Sequence, residues 1–426
     1  MTNNLHFIDL FAGCGGLSLG LEQAGFTPVY VNELNKDAMD SYLCNRIEEN
    51  PLLNKYKSYD IKELSEKTDI KKLIEDITKD YSINDKKFPI DLIVGGPPCQ
   101  GFSMIGHRRS YNVSRNKLMP NFLYKEMAKV IKKVNPKMFL FENVQGLLSA
   151  KWDKDGEKGE IWEDVLSTFT NETGNYEVKH LKVYSKEYGV PQNRPRVFII
   201  GINKKLNYEF NDDLRASGLL PEPIAEAPPH LYDLLSDLID KNYKKELSTK
   251  KYPLKPTNDL QKNLRIYRNK TLSDLTDHDY SKHSDHIEKK FTYMIENQLD
   301  HTAGNSKLPE EFITNKFRQK LLPKFWDENG PSITVTSLPD DFVHFSQPRS
   351  LSVREWARIQ TFPDWYQFRG PRTTGGLRRA GNPKENDFKR ELPKYTQIGN
   401  AVPVKLAYEI GKHFSNVISK YYGNHK

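Results

Sequence analysis

The chain has 426 residues, 37% of them hydrophobic and 28% charged, with a formal net charge of +8. No apolar run approaches the roughly 20 residues needed to span a bilayer, which excludes a helical membrane protein. Three cysteines, Cys14, Cys44 and Cys99, provide neither a disulfide framework nor a CxxC metal pair, and the basic balance favours a polyanionic partner.

The N-terminus, MTNNLHFIDLFAG, enters a strand pattern at once. It lacks the basic and apolar regions of a signal peptide, so a cytoplasmic location is expected. From residue 6 to about 203 strands and helices alternate. HFIDLF is a short apolar strand running into glycines. LSLGLEQAG has helical spacing and a C-capping glycine. PVYVNE and KDAMDSYLCNRI repeat the pairing, and DIKELSEKTDIKKLIEDI is amphipathic. PIDLIVGG and PKMFLFENV read as buried strands around the helix LYKEMAKVIKKV. YEVKHLKVYS and RVFIIGIN lie close enough to form a hairpin. This order predicts an α/β fold, a mostly parallel sheet wrapped by helices with an antiparallel strand at its end. After residue 204 the rhythm stops and the chain becomes loop-rich. The last segment, AVPVKLAYEIGKHFSNVISKYY, has Leu406, Ile410 and Phe414 at helical spacing, so the chain is expected to return to its first domain.

Four stretches carry chemistry. FIDLFAGCGG has the strand–glycine turn–helix form of a nucleotide-cofactor site in a doubly wound sheet. Gly13, Gly15 and Gly16 allow close backbone approach, and Glu33, 20 residues after Gly13, is placed to accept ribose hydroxyls. Ser18 stands where a dinucleotide fingerprint would have its last glycine. The turn therefore suits a cofactor with ribose and adenine but no phosphate, such as S-adenosylmethionine; a plain packing turn is the alternative. In GGPPCQGFS, Cys99 falls at the end of a central strand, where open sheets place ligand crevices. A thiol there can be a nucleophile or a small buried hydrophobe. Glu142 of FENV ends an apolar strand, where desolvation would raise its pKa and let it donate a proton; local backbone donors could equally satisfy it. Arg194 and Arg196 of PQNRPRVFII alternate and so are expected to face one side, as a phosphate or carbonyl site or as an exposed pair.

Basic charge concentrates in residues 241–270, with 10 Lys/Arg against 2 acidic groups, and in residues 369–394, with 8 against 3. His278, His283 and His286 lie among aspartates in DHDYSKHSDHI, but the spacing matches no zinc pattern and no metal is expected.

DLFAGCGG, NE, PPCQGFS, ENV, QNRPR, RSLSVREWARIQTFP and IGNAVP occur in the order and rough spacing of the DNA (cytosine-5)-methyltransferases. The chain resembles that family over residues 6–204 and about 332–415. The resemblance implies a Rossmann-like S-adenosylmethionine-dependent methyltransferase fold with a smaller target-recognition domain. It implies a catalytic domain of residues 1–204 and 392–426 and a target-recognition domain of 205–391. Cys99 would be the nucleophile toward cytosine C6, Glu142 would hold N3, and Arg196 with Arg194 would hold the base oxygen and nearby backbone. Phe11 would stack on adenine, Glu33 bind ribose and Asp60 the adenine amino group, with Pro98 and Asn400 completing the cofactor pocket. Gln100 and Ser103 would contact the flipped nucleotide's phosphates. Arg108, Arg109 and Arg115 would engage phosphates from a loop closing over DNA. Many relatives have Trp where this chain has Leu34. The implied partners are double-stranded DNA and a functionally paired restriction endonuclease, with the enzyme a monomer. An RNA-directed member of the same family, a catalytically dead DNA-binding relative and an NAD-dependent oxidoreductase are the rival readings.

Overall fold

The computed structural model describes residues 5–98, 122–152, 155–241, 243, 249–299, 307–313, 319–326, 335–336, 338–373 and 391–422. Strands β1 (Leu5–Leu10), β2 (Phe26–Asn32), β3 (Lys57–Ser58), β4 (Leu92–Gly95), β5 (Met138–Val144), β6 (Tyr176–Tyr184) and β7 (Pro195–Asn203) form one sheet in the order β3-β2-β1-β4-β5-β7-β6. The first five run parallel, and β7 enters antiparallel between β5 and β6. All six residues of β1 are buried, as a strand covered on both faces requires. The chain winds outward from β1 to β3 and then crosses back to β4. The switch point therefore lies between β1 and β4, where such sheets bind ligands beyond their carboxyl ends.

Alternation along the strands feeds two cores. Ile8, Ile93 and Phe139 pack with the helices α3 (Ile70–Asp80), α4 (Leu123–Val134) and α5 (Glu160–Asn171) on one face. Phe7, Leu92, Val94 and Leu140 face α1 (Gly16–Gln23) and the C-terminal helix Val404–Tyr422. The expected return of the chain is thus realised. It depends on Gly20 of α1, where an added Cβ would come within 2.4 Å of both the Ala407 side chain and the Val404 carbonyl. Helix α2 (Lys36–Cys44) is capped by Asn35, whose side chain accepts from the Ala38 N–H, and α3 by Asp69, which accepts from Lys72. The amphipathic stretch is divided in two, a π turn over Glu63–Lys67 preceding α3.

Leu206, Ala216, Leu219 and Leu220 belong to the same core as Ile410 and Phe414. The sequence boundary at residue 204 therefore falls inside the sheet's packing, because the apolar residues of this irregular stretch find their cover there. Beyond it, a third core joins Leu231, Leu234 and Leu238 to Trp356, Phe362 and Tyr366, and also to Cys14 of the glycine turn and Leu19 of α1. Helix Val353–Ile359 is buried at every residue and closed by a Ser352/Glu355 capping box. Its charges are internally paired. Arg349 holds Glu355 at 2.7 Å, and Arg358 bridges Asp237 and Asp364.

The histidines of residues 277–287 go to separate partners. His278 is bonded to the Ser352 hydroxyl at 2.7 Å and to the Leu238 carbonyl at 3.1 Å. His283 meets Ser350 and the Phe291 ring, and His286 meets Phe312. Burial drives the His278 pKa down to about 4. Between pH 6.5 and 4 the unfolded chain therefore binds a proton that the folded one does not. Its stabilising effect is complete above pH 6.5 and is lost as pH falls, to a total of about 3 kcal/mol for this group. Chemical denaturation across that range should show stability declining on acidification, with a shallower slope for His278→Gln; equal slopes would contradict the assignment.

Candidate active site

The glycine turn after β1 faces the carboxyl ends of the parallel strands. Phe11 (φ 58°), Gly13 (φ 58°) and Gly15 (φ 87°) all adopt the left-handed backbone, which bends the chain sharply into α1. Glu33 lies just past β2. It accepts hydrogen bonds from the Gly13 and Asn35 backbone N–H groups, each at 2.8 Å. Burial pushes its carboxyl up while these two donors pull it back. Asp60 is exposed just past β3 and caps its own turn through the Lys62 N–H at 2.9 Å. Asn32 fixes that turn by donating to the Ser58 hydroxyl at 2.9 Å and the Tyr59 carbonyl at 3.1 Å. The donor set fits S-adenosylmethionine: a ribose-sized carboxylate, a second carboxylate, an aromatic ring and a turn. An added Cβ at Gly13 would meet nothing within 4 Å, so the backbone there is open to a ligand. Leu34 is 72% exposed beside Glu33.

Asn400, exposed at the end of helix Lys394–Asn400, is brought to this turn by close packing. A Cβ on Gly16 would fall 2.4 Å from the Val402 carbonyl. One buried acid escaped the sequence reading. Asp9 of β1 receives a hydrogen bond from Ser18, the residue that replaces the third glycine, and burial raises its pKa to about 7. The two residues are nine apart, one on strand β1 and one on helix α1, so no local period marks the pair.

Pro98 is partly buried and leads out of β4. Cys99, Gln100, Ser103, Arg108, Arg109 and Arg115 lie outside the described residues. The frame that leads to Cys99 is described. Asn143 donates to the Pro97 carbonyl at 3.0 Å, tying the end of β5 to the proline turn. A Cβ on Gly96 would come within 2.9 Å of Glu142 Oε2, so the glycine lets the carboxylate pass behind the turn.

Glu142 is buried, and Arg196 Nε stands 2.6 Å from its Oε1. The sheet register dictates the pair. Val144 opposes Arg196 across the β5–β7 ladder, so Glu142, two residues back, is its diagonal neighbour on the same face. The apolar setting expected for Glu142 is thus corrected: the carboxylate shares its site with a guanidinium. Arg194 precedes β7 and differs in its partners. It donates to the Val335 carbonyl at 2.9 Å and the Gly399 carbonyl at 2.5 Å. Its Nε has no hydrogen-bond partner among the described residues. Burial pulls both guanidiniums below their ordinary value, Arg194 furthest.

A set of buried glutamines, also missed in the sequence, joins these pieces. Gln192 donates to the Gln360 side chain and the Ile359 carbonyl, and accepts from the Val335 N–H at 3.1 Å. Gln360 donates to the carbonyls of Ile398 at 2.7 Å and Ala401 at 2.8 Å. Gln397 donates to Arg369 and Leu392 carbonyls and accepts from the Ser41 hydroxyl of α2. The described arginines of the two basic stretches are internally engaged. Arg265 pairs with Asp237, Arg268 with Glu48 and Glu49, Arg369 with Gln367, and Arg372 with the Asp279 carbonyl.

A family model described as C-5 cytosine-specific DNA methylase matches residues 5–416. The chain is 29% identical to the Type II methyltransferase M.DdeI of Desulfomicrobium norvegicum, over 96% of this chain and 88% of that protein. It is 29% identical to the Type II methyltransferase M.Eco47II of Escherichia coli, over 99% and 81%. A crystal structure of a candidate DNA modification methyltransferase encoded within a prophage (Escherichia coli) superposes with a TM-score of 0.63 at 25% identity. That likeness covers 98% of this chain and all of that one.

Replacing Gln360 by Met strips the buried Ile398 carbonyl and the part-buried Ala401 carbonyl of a donor and leaves the Gln192 amide only the Ile359 carbonyl. Since each orphaned group costs about 1–3 kcal/mol, a loss of about 3 kcal/mol or more is expected by urea denaturation. A change below about 1 kcal/mol would mean that the network carries little of the closure.

Proposed function

The chain belongs to the C-5 cytosine-specific DNA methylase family and is a DNA (cytosine-5)-methyltransferase that uses S-adenosyl-L-methionine; from that premise we propose that it methylates one cytosine within a specific duplex sequence, flipped out of the helix and activated by a covalent bond to Cys99. The observation that carries this reading is the buried Glu142–Arg196 pair directly behind the turn that leads to Cys99.

Cytosine C5 has too little nucleophilicity to attack a methyl donor unaided. The Cys99 thiolate adds to C6, and electron density moves through the ring. Glu142 holds N3 and shares a proton there, which stabilises the negative charge that the addition creates. Arg196 fixes the Glu142 carboxylate, with Arg196 beside the base oxygen. The unpartnered Nε of Arg194 leaves one N–H for the base or the adjacent backbone. Bound S-adenosylmethionine would supply an electrophilic methyl group to C5, its sulfonium S–CH3 bond breaking to leave S-adenosylhomocysteine. A base then removes the C5 proton, the C5–C6 double bond re-forms, and Cys99 leaves as thiolate. Phe11, Glu33, Asp60, Pro98 and Asn400 hold the cofactor, with Gly13, Gly15 and Gly16 shaping the turn. Gln100, Ser103, Arg108, Arg109 and Arg115 contact the DNA.

The catalytic part comprises residues 1–204 and 392–426, extended by the sheet-packed stretch to Leu220. The remainder of 205–391 recognises the target sequence. The relatives' names support a restriction–modification setting, in which a cognate endonuclease is the functional partner and the methylase acts as a cytoplasmic monomer on duplex DNA. Among the described residues no helix is long and apolar enough to cross a membrane.

Labelled methyl transfer to duplex DNA tests the reading. Cys99→Ala is expected to lose several orders of magnitude in kcat, as removal of a covalent nucleophile does. Bisulfite sequencing of DNA from expressing cells should show a single repeated cytosine context. Methylation of tRNA alone, or a Cys99→Ala enzyme of full activity, would overturn it.

A further inference from the structure

The cofactor turn has a back as well as a front, and the back is held by a residue from far along the chain. Tyr366 is wholly buried, and its hydroxyl donates to the Cys14 carbonyl. Arg46 Nη1 donates to the same hydroxyl at 2.8 Å, and Arg46 Nη2 to the Gly15 carbonyl at 3.2 Å. Arg46 is fixed in turn by Glu22 at 2.7 Å and lies over the Tyr42 ring at 3.9 Å. The fit leaves no slack. A Cβ on Gly15 would lie within 2.8 Å of both the Tyr366 hydroxyl and the Tyr42 ring, and 2.9 Å from Arg46. On the front of this turn, the Gly13 N–H holds Glu33.

We propose that Tyr366 is a positioning residue for cofactor binding: with Arg46 it pins the carbonyls behind the glycine turn, so that the turn and the Glu33 carboxylate stand preformed for the ligand's ribose. This rests on the cofactor assignment above. The physical argument is preorganisation. Two adjacent carbonyls, those of Cys14 and Gly15, each take a side-chain donor from behind. Glycine moves freely between left- and right-handed backbone, so Gly13 and Gly15 keep this one shape through contacts from outside the turn. Removing the hydroxyl releases one carbonyl and one guanidinium N–H, and the ordering of the turn must then be supplied on binding. The rest of Tyr366 stays in place without the hydroxyl. Its ring packs on Phe362 at 4.9 Å and Phe368 at 5.6 Å, and its carbonyl accepts from Arg354 at 2.8 Å. Since Arg354 also bonds Thr276, the cofactor turn is mechanically continuous with the middle of the chain.

The test is calorimetric titration of the full chain with S-adenosylmethionine, and separately with S-adenosylhomocysteine, without DNA. Tyr366→Phe is expected to weaken both about tenfold, the effect of one lost buried hydrogen bond. KM for the cofactor should rise by the same factor. Saturated kcat and duplex affinity should stay within about twofold, since a positioning role is one of uniform binding. Arg46→Lys, which keeps the charge facing Glu22 but cannot serve both acceptors, should weaken binding in the same direction. Tyr366→Phe binding both ligands as the wild type does, or losing kcat with KM unchanged, would overturn the proposal. A wild-type chain that binds neither ligand would instead overturn the cofactor reading itself.

Discussion

The site exists only because two stretches of chain 168 residues apart are locked together by buried amides. Gln192 and Gln360 are both inaccessible to solvent, and between them they engage Ile359, Ile398, Ala401 and Val335. A buried amide with all its partners is rigid and directional, and one without them is costly. That asymmetry makes this join a constraint on everything near it. It sets the end of helix Lys394–Asn400, and hence Asn400, against the glycine turn. It also sets the entry to β7, and hence Arg196, against β5. Cofactor side and base side are thereby referred to the same fixed frame.

Buried charge follows a related logic. Taking Glu142 and Arg196 out of water is unfavourable, and their contact at 2.6 Å compensates only while both remain. Helix Val353–Ile359 carries three buried charges on the same terms: Arg354 faces Asp277, Glu355 faces Arg349, and Arg358 faces Asp237 and Asp364. In that helix the pairs join the segment after residue 230 to the C-terminal elements. At Glu142 the pair instead ties β5 to β7 behind the proline turn, where the proposed reaction needs a carboxylate for the base.

Much of this was legible in the sequence. The apolar runs and glycine turns gave most of the strands and their mostly parallel arrangement, though not their order in the sheet, and the helical spacing of Leu406, Ile410 and Phe414 gave the return of the chain. Those signals are local: a period, a cap, a breaker. What escaped depends on partner choice over long separations. Nothing near Gln192 indicates that it will meet Gln360, and nothing near Arg194 indicates the Gly399 carbonyl. Arg265 and Arg268 read as a surface for polyanions, yet in the fold they meet Asp237, Glu48 and Glu49. Charge density says how many cations a stretch has, not which are already taken. The π turn at Glu63–Lys67 is similar, since α4 selects it: Ser65 donates to Glu126, and Lys133 donates to the Ser65 carbonyl.

The central claim is that Cys99 forms a covalent bond to the base during turnover. Duplex DNA carrying 5-fluorocytosine at the target position tests it most directly, because a C5 fluorine cannot be removed as a proton and the enzyme cannot leave. With S-adenosylmethionine present, the account predicts a denaturant-stable protein–DNA species whose linkage maps to Cys99 and which Cys99→Ala does not form. Turnover of ordinary substrate with no such species, or a linkage that persists in Cys99→Ala, would contradict it.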